Sequence, residues 1–398
     1  PKSADDASDY SRDSSKYQRR KGFSRGQRRA LIIVAIVAIV LCALAGAAFA
    51  LWQNAQNNIK LEDDSVKESL VPIITHDDPY WVLILGSDTR STDTADSRSD
   101  VILLARIDEQ NKQVTLVSIP RDTKVELEGY GTQKINAAYA LGGAKLAVST
   151  ISDYAGVDIS HYVEIYFKGF KKLVDAIGGV DVDVPEYASY HGVTLEPGYQ
   201  HIDGEHALML ARNRKTYLTG DFRRTECQRL LAQAIAEKVL SQDVTQIPTT
   251  VDALTQCFST EMPLGEILGL ATSLQGISGK AFNSAMAPST TGMVDGVSYT
   301  FTYINQWKLI MQRAEQGDDP SIDDTEAAIC GYTSTQTEAL DMSEGLPEDV
   351  QEQIDAHVKE KKAKEAKKAA KKAAKKAAKE AAEQAEEAAG TASANSTT

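Results

Sequence analysis

The sequence predicts an α/β domain with a mixed sheet, preceded by one transmembrane helix. Two observations carry that expectation. Short strand-like runs alternate with helical ones over residues 80–317, and an uncharged stretch of 23 residues, 30–52, stands before them.

At about 1.5 Å of rise per residue, the uncharged stretch makes a helix of roughly 35 Å, enough for a bilayer core of about 30 Å. Arg19, Arg20, Lys21, Arg25, Arg28 and Arg29 sit immediately before it, whereas Lys60 is the first cation after it. The positive-inside rule therefore predicts a basic cytoplasmic tail over 1–29, with everything past residue 52 extracytoplasmic and the protein single-pass in the cell membrane. The run exceeds the roughly 7–15 residues of a signal-peptide core, so it reads as an uncleaved anchor. Cys42 follows Val40-Leu41 rather than the small residue of a lipoprotein cleavage site.

Residues 53–78 are polar and acidic and read as a stalk. A strand over 80–85 stops at Gly86-Ser87-Asp88. Apolar runs 101–107 and 114–119, joined by the turn-like 108–112, predict a buried hairpin beside it. Next come a helix over 137–154 interrupted by Gly142-Gly143, a strand over 162–165, and a helix over 168–177 stopped by Gly178-Gly179. Then follow a strand over 180–184, a short helix beginning at Glu205-His206, and a strongly amphipathic helix over 224–240. These elements define one domain over 79–317. The acidic, Ser/Thr-rich 318–358 reads as a linker and 359–398 as a Lys/Ala-rich tail. The repeated Lys-Lys-Ala-Ala of the tail suits a solvated helix or an electrostatic contact with wall polymer or headgroups.

Net charge is −13, but residues 1–29 carry +5, 359–379 carry +9 and 380–398 carry −4, leaving −23 for 30–358. A body that acidic is not a general nucleic-acid coat. The four cysteines form no CxxC pair, so neither a disulfide scaffold nor a zinc site is indicated.

Arginine placement is the functional signal. Of the ten arginines after the apolar run, four lie within 90–121 and five within 212–229. Two such clusters on an acidic body point to bidentate binding of phosphate oxygens. Asp88 ends the first strand, Arg98 and Asp100 precede the second, and Arg121 follows the third, so an antiparallel arrangement brings them to one edge. Asp88 and Asp100, if they converge, are candidate Mg2+ ligands. Arg212 and Arg214 share a side if their segment is extended. Asp221, Arg224 and Gln228, at i, i+3 and i+7, share a helix face near its N-terminus, where amide donors favour an anion. No GxSxG elbow, HExxH or Walker-type loop is present, and the six histidines lack ligand spacing. Phosphoryl transfer by positioning and electrostatics needs none of these.

The segments Leu85-Gly-Ser-Asp-Thr-Arg90, Ser97-Arg-Ser-Asp-Val-Ile102, Val117-Ser-Ile-Pro-Arg-Asp122, Lys134-Ile-Asn-Ala-Ala-Tyr139, Leu173-Val-Asp-Ala-Ile-Gly-Gly-Val-Asp-Val182 and 204–228 occur in a set order. In them the chain resembles the LytR–CpsA–Psr family of membrane-anchored cell-wall phosphotransferases. The resemblance implies an α/β/α sandwich with a central mixed sheet, a hydrophobic pocket for a polyprenyl chain and a polar mouth for its pyrophosphate. It implies Asp88 and Asp100 as Mg2+ ligands, and Arg98, Arg121, Arg212, Arg214, Gln228 and Lys134 as the pyrophosphate grip. Asp221 and Arg224 match the family's Asp-x-x-Arg, with Asp221 orienting groups or taking a proton; Arg121, Asp221 and Arg224 are the implied catalytic set. Where the family usually runs Arg-Gln-Gln, this chain has Cys227-Gln228-Arg229, with Arg223 and Arg229 as candidate replacements for the missing arginine.

The implied reaction moves a secondary wall glycopolymer, teichoic acid or capsular, from a polyprenyl-pyrophosphate carrier to a peptidoglycan hydroxyl and releases polyprenyl phosphate. The expected partners are the lipid-linked glycan, peptidoglycan and the membrane, with no nucleic acid. A pyrophosphatase and a non-catalytic lipid-binding scaffold are the rival readings.

Overall fold

β-Branched and leucine-rich runs build the sheet. Its strands are β1 (Tyr80–Ser87), β2 (Ser99–Asp108), β3 (Gln113–Ser118), β4 (Ile159–Tyr166), β5 (Phe258–Thr260) and β6 (Phe282–Met286). This computed structural model describes residues 52–61, 64–75, 78–87, 99–241, 257–277 and 279–395. The chain divides into two units, Pro1–Ala55 and Gln56–Thr398, and the second carries the sheet. The apolar run read as a membrane anchor lies outside the described residues up to residue 51. Among the described residues no helix is long and apolar enough to cross a membrane.

The strand order is β5-β4-β1-β2-β3-β6. β1 pairs parallel with β4 and β3 parallel with β6, while β1–β2, β2–β3 and β4–β5 are antiparallel. The sheet is therefore mixed, as expected, and the C-terminal ends of β1, β3, β4 and β6 share one edge with the start of β2. In the predicted hairpin, Asp108 holds the turn by accepting from the Asn111 amide at 2.9 Å.

Alternation of side chains gives each face its own core. Leu83, Leu85, Leu104 and Val117 pack on one face under α1 (Ala137–Ala155), together with Trp307 and Ile310. Helix α1 is kinked where Gly143 adopts φ 66°, and it ends on left-handed Gly156, both positions anticipated by their glycines. Val82, Leu103, Ala105 and Leu116 line the other face. A satellite core joins α2 (Phe167–Ala176), the hairpin of Val180–Val184 with Gly198–Ile202, and α3 (Gly204–Arg212) to α4 (Asp221–Leu240). The fold is an α/β/α sandwich.

Three segments differ in detail from the sequence expectation. Helix α4 has no solvent face, because every one of its residues is at least partly buried between the sheet and the satellite core. Within the segment read as a stalk, Leu61 and Val66 are buried, and the Val71 amide donates to Ile159 O at 2.9 Å. The segment read as an acidic linker contains α7 (Asp324–Cys330), which follows α5 (Leu264–Ser273) and α6 (Ile304–Gln316) and starts on a capping box of Asp323 and Glu326. Cys330 of α7, with Val350 and Ile354 of α8 (Glu348–Asn395), covers Leu309 of α6. Acidic composition marks solvent-facing residues, whereas the few apolar ones suffice to dock these pieces.

Leu83 is fully buried at the centre of the sheet. Leu83→Ala is expected to cost about 2–5 kcal/mol, read as a lower urea midpoint at unchanged slope.

Candidate functional site

The edge where the parallel strands end is where their connections leave room for a ligand. Arg121 stands just beyond β3, and Asp100 is the second residue of β2. They meet at one edge, as expected, and there form an ion pair, with the Arg121 guanidinium donating to the Asp100 carboxylate. The Asn136 amide fixes the turn behind them by donating to Arg121 O at 3.2 Å. Asp88 and Arg98 lie outside the described residues. The described residues that flank them, Ser87 and Ser99, are partners across β1 and β2 after a register shift between Gly86 and Ser87.

Helix α4 delivers the second cluster. It starts at Gly220, whose φ of 56° is left-handed, and no side chain caps its first turn. Asp221 and Arg224 therefore meet on one face, with Arg224 Nη2 2.7 Å from Asp221 Oδ1. The same carboxylate oxygen lies 3.8 Å from Arg121 Nη2. Asp100, Arg121, Asp221 and Arg224 thus form a continuous row linking the β2–β3 edge to the start of α4.

The electrostatics of that row follow from its burial. Desolvation lowers the Arg224 pKa, and the Arg121 charge adds to this while Asp221 opposes it. Burial also acts to lower Arg121, but the charges of Asp221 and Asp100 outweigh it and leave Arg121 raised. Arg121 Nε and both Arg224 Nε and Nη2 are buried without a hydrogen-bond partner among the described residues. Asp221 Oδ1 is likewise without one, so its close approach to Arg224 is an ion pair that leaves hydrogen-bonding directions open. Buried donors of this kind ordinarily have acceptors. A multivalent oxyanion has the acceptor oxygens that would satisfy them.

The remaining candidates divide. Arg214 is exposed, and its field reaches Arg224. Arg212 is the last residue of α3 rather than part of an extended strand, because Asp203 caps the helix by accepting from the amides of Glu205 and His206. Lys134 is 3.1 Å from Asp122, whose charge also reaches Arg121. Gln228 turns inward and donates to Ala211 O at 3.0 Å. Of the two arginines considered as substitutes near Cys227, Arg229 donates to Ser118 Oγ at 2.8 Å and to Ala285 O at 3.1 Å, tying α4 to β3 and β6. Arg223 pairs with Glu226 at 2.5 Å and with Glu186 at 3.5 Å. Cys227 itself is buried, with its thiol pushed up to about 11 chiefly by desolvation. No disulfide joins Cys227, Cys257 and Cys330.

Immediately behind Gln228 lies an apolar cavity of about 350 Å³. Ile84 and Leu103 of the sheet, Leu231 and Ile235 of α4 and Leu270 of α5 contribute walls. One helix therefore presents charge at its first turn and a greasy wall two turns later. A buried polar cluster also escaped the sequence reading. Glu164 accepts from Ser87 Oγ and Tyr139 Oη, each at 2.7 Å, at the same end of the sheet. Its signal was a lone glutamate inside the short run 162–165, which is otherwise apolar or aromatic.

Fold and site together define an α/β/α domain built to hold an amphiphile with an anionic head. The LytR_cpsA_psr family model matches residues 47–316, and the chain belongs to that family. Over 281 residues it is 33% identical to the polyisoprenyl-teichoic acid–peptidoglycan teichoic acid transferase TagU of Enterococcus faecalis, spanning 69% of this chain and 92% of that one. The crystal structure of Bacillus subtilis TagV superposes with a TM-score of 0.55 at 26% identity, covering 62% of this chain and 99% of that one. A structure of TagT bound to LI-WTA has a TM-score of 0.52 at 25% identity, covering 65% and 96%.

Inorganic pyrophosphate is expected to raise the unfolding temperature of the protein, since it binds only the folded site. Arg224→Gln is expected to abolish most of that rise while leaving the unliganded protein folded. An equal rise in the variant would place the anion elsewhere.

Proposed function

We propose that this protein transfers a teichoic-acid-type wall glycopolymer from a polyprenyl-pyrophosphate carrier to a peptidoglycan hydroxyl. The observation that carries the reading is the set of buried guanidinium donors without hydrogen-bond partners, one helical turn before Gln228, which lines an apolar cavity. The E. faecalis relative, named for this reaction, supports it.

The polyprenyl chain occupies the cavity, and α4 leads from it to the pyrophosphate at its N-terminus. Arg121 and Arg224 grip the phosphate oxygens, with Arg212, Arg214 and Lys134 around the rim and Arg98 joining them by its place in the sequence. Gln228 marks the junction of head and chain. The acceptor hydroxyl attacks the sugar-side phosphorus and the bond from that phosphorus to the bridging oxygen breaks. Polyprenyl phosphate departs, a phosphodiester remains on the wall, and the hydroxyl proton passes to solvent. The guanidiniums neutralise charge growing on the bridging and leaving oxygens. Asp221 lies between two cations, which suits orienting both guanidiniums better than accepting a proton.

The donor set suits Mg2+, which favours carboxylate oxygens. Asp100 offers one such group, and Asp221 Oδ1 is a buried oxygen without a hydrogen-bond partner. Asp100, with Asp88 by sequence position, would hold the ion, which would supply further neutralisation of the pyrophosphate. The catalytic domain would act outside the cell, anchored by residues 30–52. Asp323, Glu326 and His357, a cluster with metal-binding spacing, belong to the contact between α7 and α8 and take no part in this chemistry.

In a reconstituted assay with detergent-solubilised protein, a short polyprenyl-pyrophosphate glycan and uncrosslinked glycan strands, mass spectrometry should find strands bearing a phosphosugar. Arg121→Ala is expected to slow transfer about 10²–10³-fold, the scale of one lost electrostatic contact in a transition state. EDTA should suppress the reaction and Mg2+ restore it. Phosphate release unaffected by added strands would instead favour the pyrophosphatase. Near-normal transfer by Arg121→Ala would remove that residue from the mechanism.

A further inference from the structure

The Lys/Ala helix is not used by the reaction just described. Its first turns are docked, with Val350 and Ile354 buried and Lys361 held 2.9 Å from Asp323. Beyond Val358 every residue whose side chain is described, through residue 377, is exposed. Over Lys364–Lys376 the residues divide by helical angle. Lysines 364, 367, 368, 371, 372, 375 and 376 occupy one half of the circumference, with Glu365 near its border, and alanines 366, 369, 370, 373 and 374 the other.

A solvated spacer helix is stabilised when Glu stands four residues before Lys. Here that arrangement is used once in the docked approach, Glu360 with Lys364 at 2.5 Å, and is then abandoned. Lys367, Lys368, Lys371, Lys372 and Lys375 have no carboxylate partner among the described residues. Instead Lys367–Lys371, Lys368–Lys372 and Lys371–Lys375 are like-charged i, i+4 neighbours, which oppose the helix they sit on. A bound polyanion turns that repulsion into attraction.

We propose that this lysine face is a docking arm for a linear phosphodiester polyanion, namely the glycopolymer that the site handles. The choice of phosphodiester polymer as occupant rests on the function proposed above. Two features favour a flexible chain over a bilayer surface. The half opposite the lysines is alanine, with no large apolar side chain between Val358 and the end of the helix, so it lacks the apolar face by which interfacial helices embed. The lysine pairs also recur every four residues, about 6 Å along the axis, and rotate by about 40° at each step. A flexible polymer can follow that slow winding, whereas a flat surface meets only part of it.

The experiment measures binding of the full-length protein in detergent to a synthetic poly(glycerol phosphate) oligomer, with a neutral dextran oligomer and phosphatidylglycerol vesicles as the other probes. The variant replaces Lys367, Lys368, Lys371, Lys372 and Lys375 with Gln, which retains helix propensity, and circular dichroism checks that helicity is kept. Wild type should bind the oligomer, ignore dextran, and weaken steeply with salt as counterions compete. The variant should bind at least tenfold more weakly with a shallower salt dependence. Its transfer from a short donor carrying no polymer should remain at the wild-type rate. Oligomer affinity unchanged in the variant, or tight vesicle binding with none to the oligomer, would overturn the proposal. Because binding is read without turnover, absence of transfer by the wild type would count against the transferase reading and leave the arm standing.

Discussion

Two guanidiniums cannot be buried side by side unless something negative stands between them. Asp221 does this for Arg121 and Arg224, and the organisation of the site depends on it. The carboxylate is contributed by the first residue of α4, and one of the arginines by the turn after β3. The ion pairs therefore do more than balance charge: they set where the helix starts against the sheet. Exposed pairs of this kind contribute little, but here Arg224 is nearly buried and breaking one partner leaves a desolvated charge behind.

The helix that begins there carries the consequence inward. Arg229 ties its third turn to β3 and β6, and Leu231 and Ile235 then form a cavity wall. Charge and grease lie along one rigid element, so a ligand with an anionic head and an apolar tail meets both in a fixed relation. This is pre-organisation, in which the cost of ordering the binding groups falls on the folding of the protein rather than on binding.

Much of this was legible in the residues. Glycines marked the kink and the end of α1, continuous apolar runs marked β1 to β3, and i, i+3 spacing brought Asp221 onto Arg224. The meeting of Asp100 and Arg121 at one edge followed from hairpin geometry alone. What was illegible depended on neighbours. The apolar pattern of α4 reads as amphipathic, but a helix covered on both sides buries its polar flanks too, and only tertiary structure supplies the second cover. Arg212 has the spacing of an extended segment, yet the Asp203 cap sets a helix that runs through it. Arg229 cannot be told from a ligand-binding arginine by sequence, because its acceptors, Ser118 and Ala285, lie on distant strands.

The central claim is that one amphiphile spans the arginine row and the apolar cavity at once. The most direct test is a crystal structure of the protein with a short polyprenyl pyrophosphate. The account predicts phosphate oxygens on Arg121 and Arg224 and the isoprenoid chain against Leu231 and Ile235. A chain lying outside the cavity, or a pyrophosphate held away from these two guanidiniums, would contradict it.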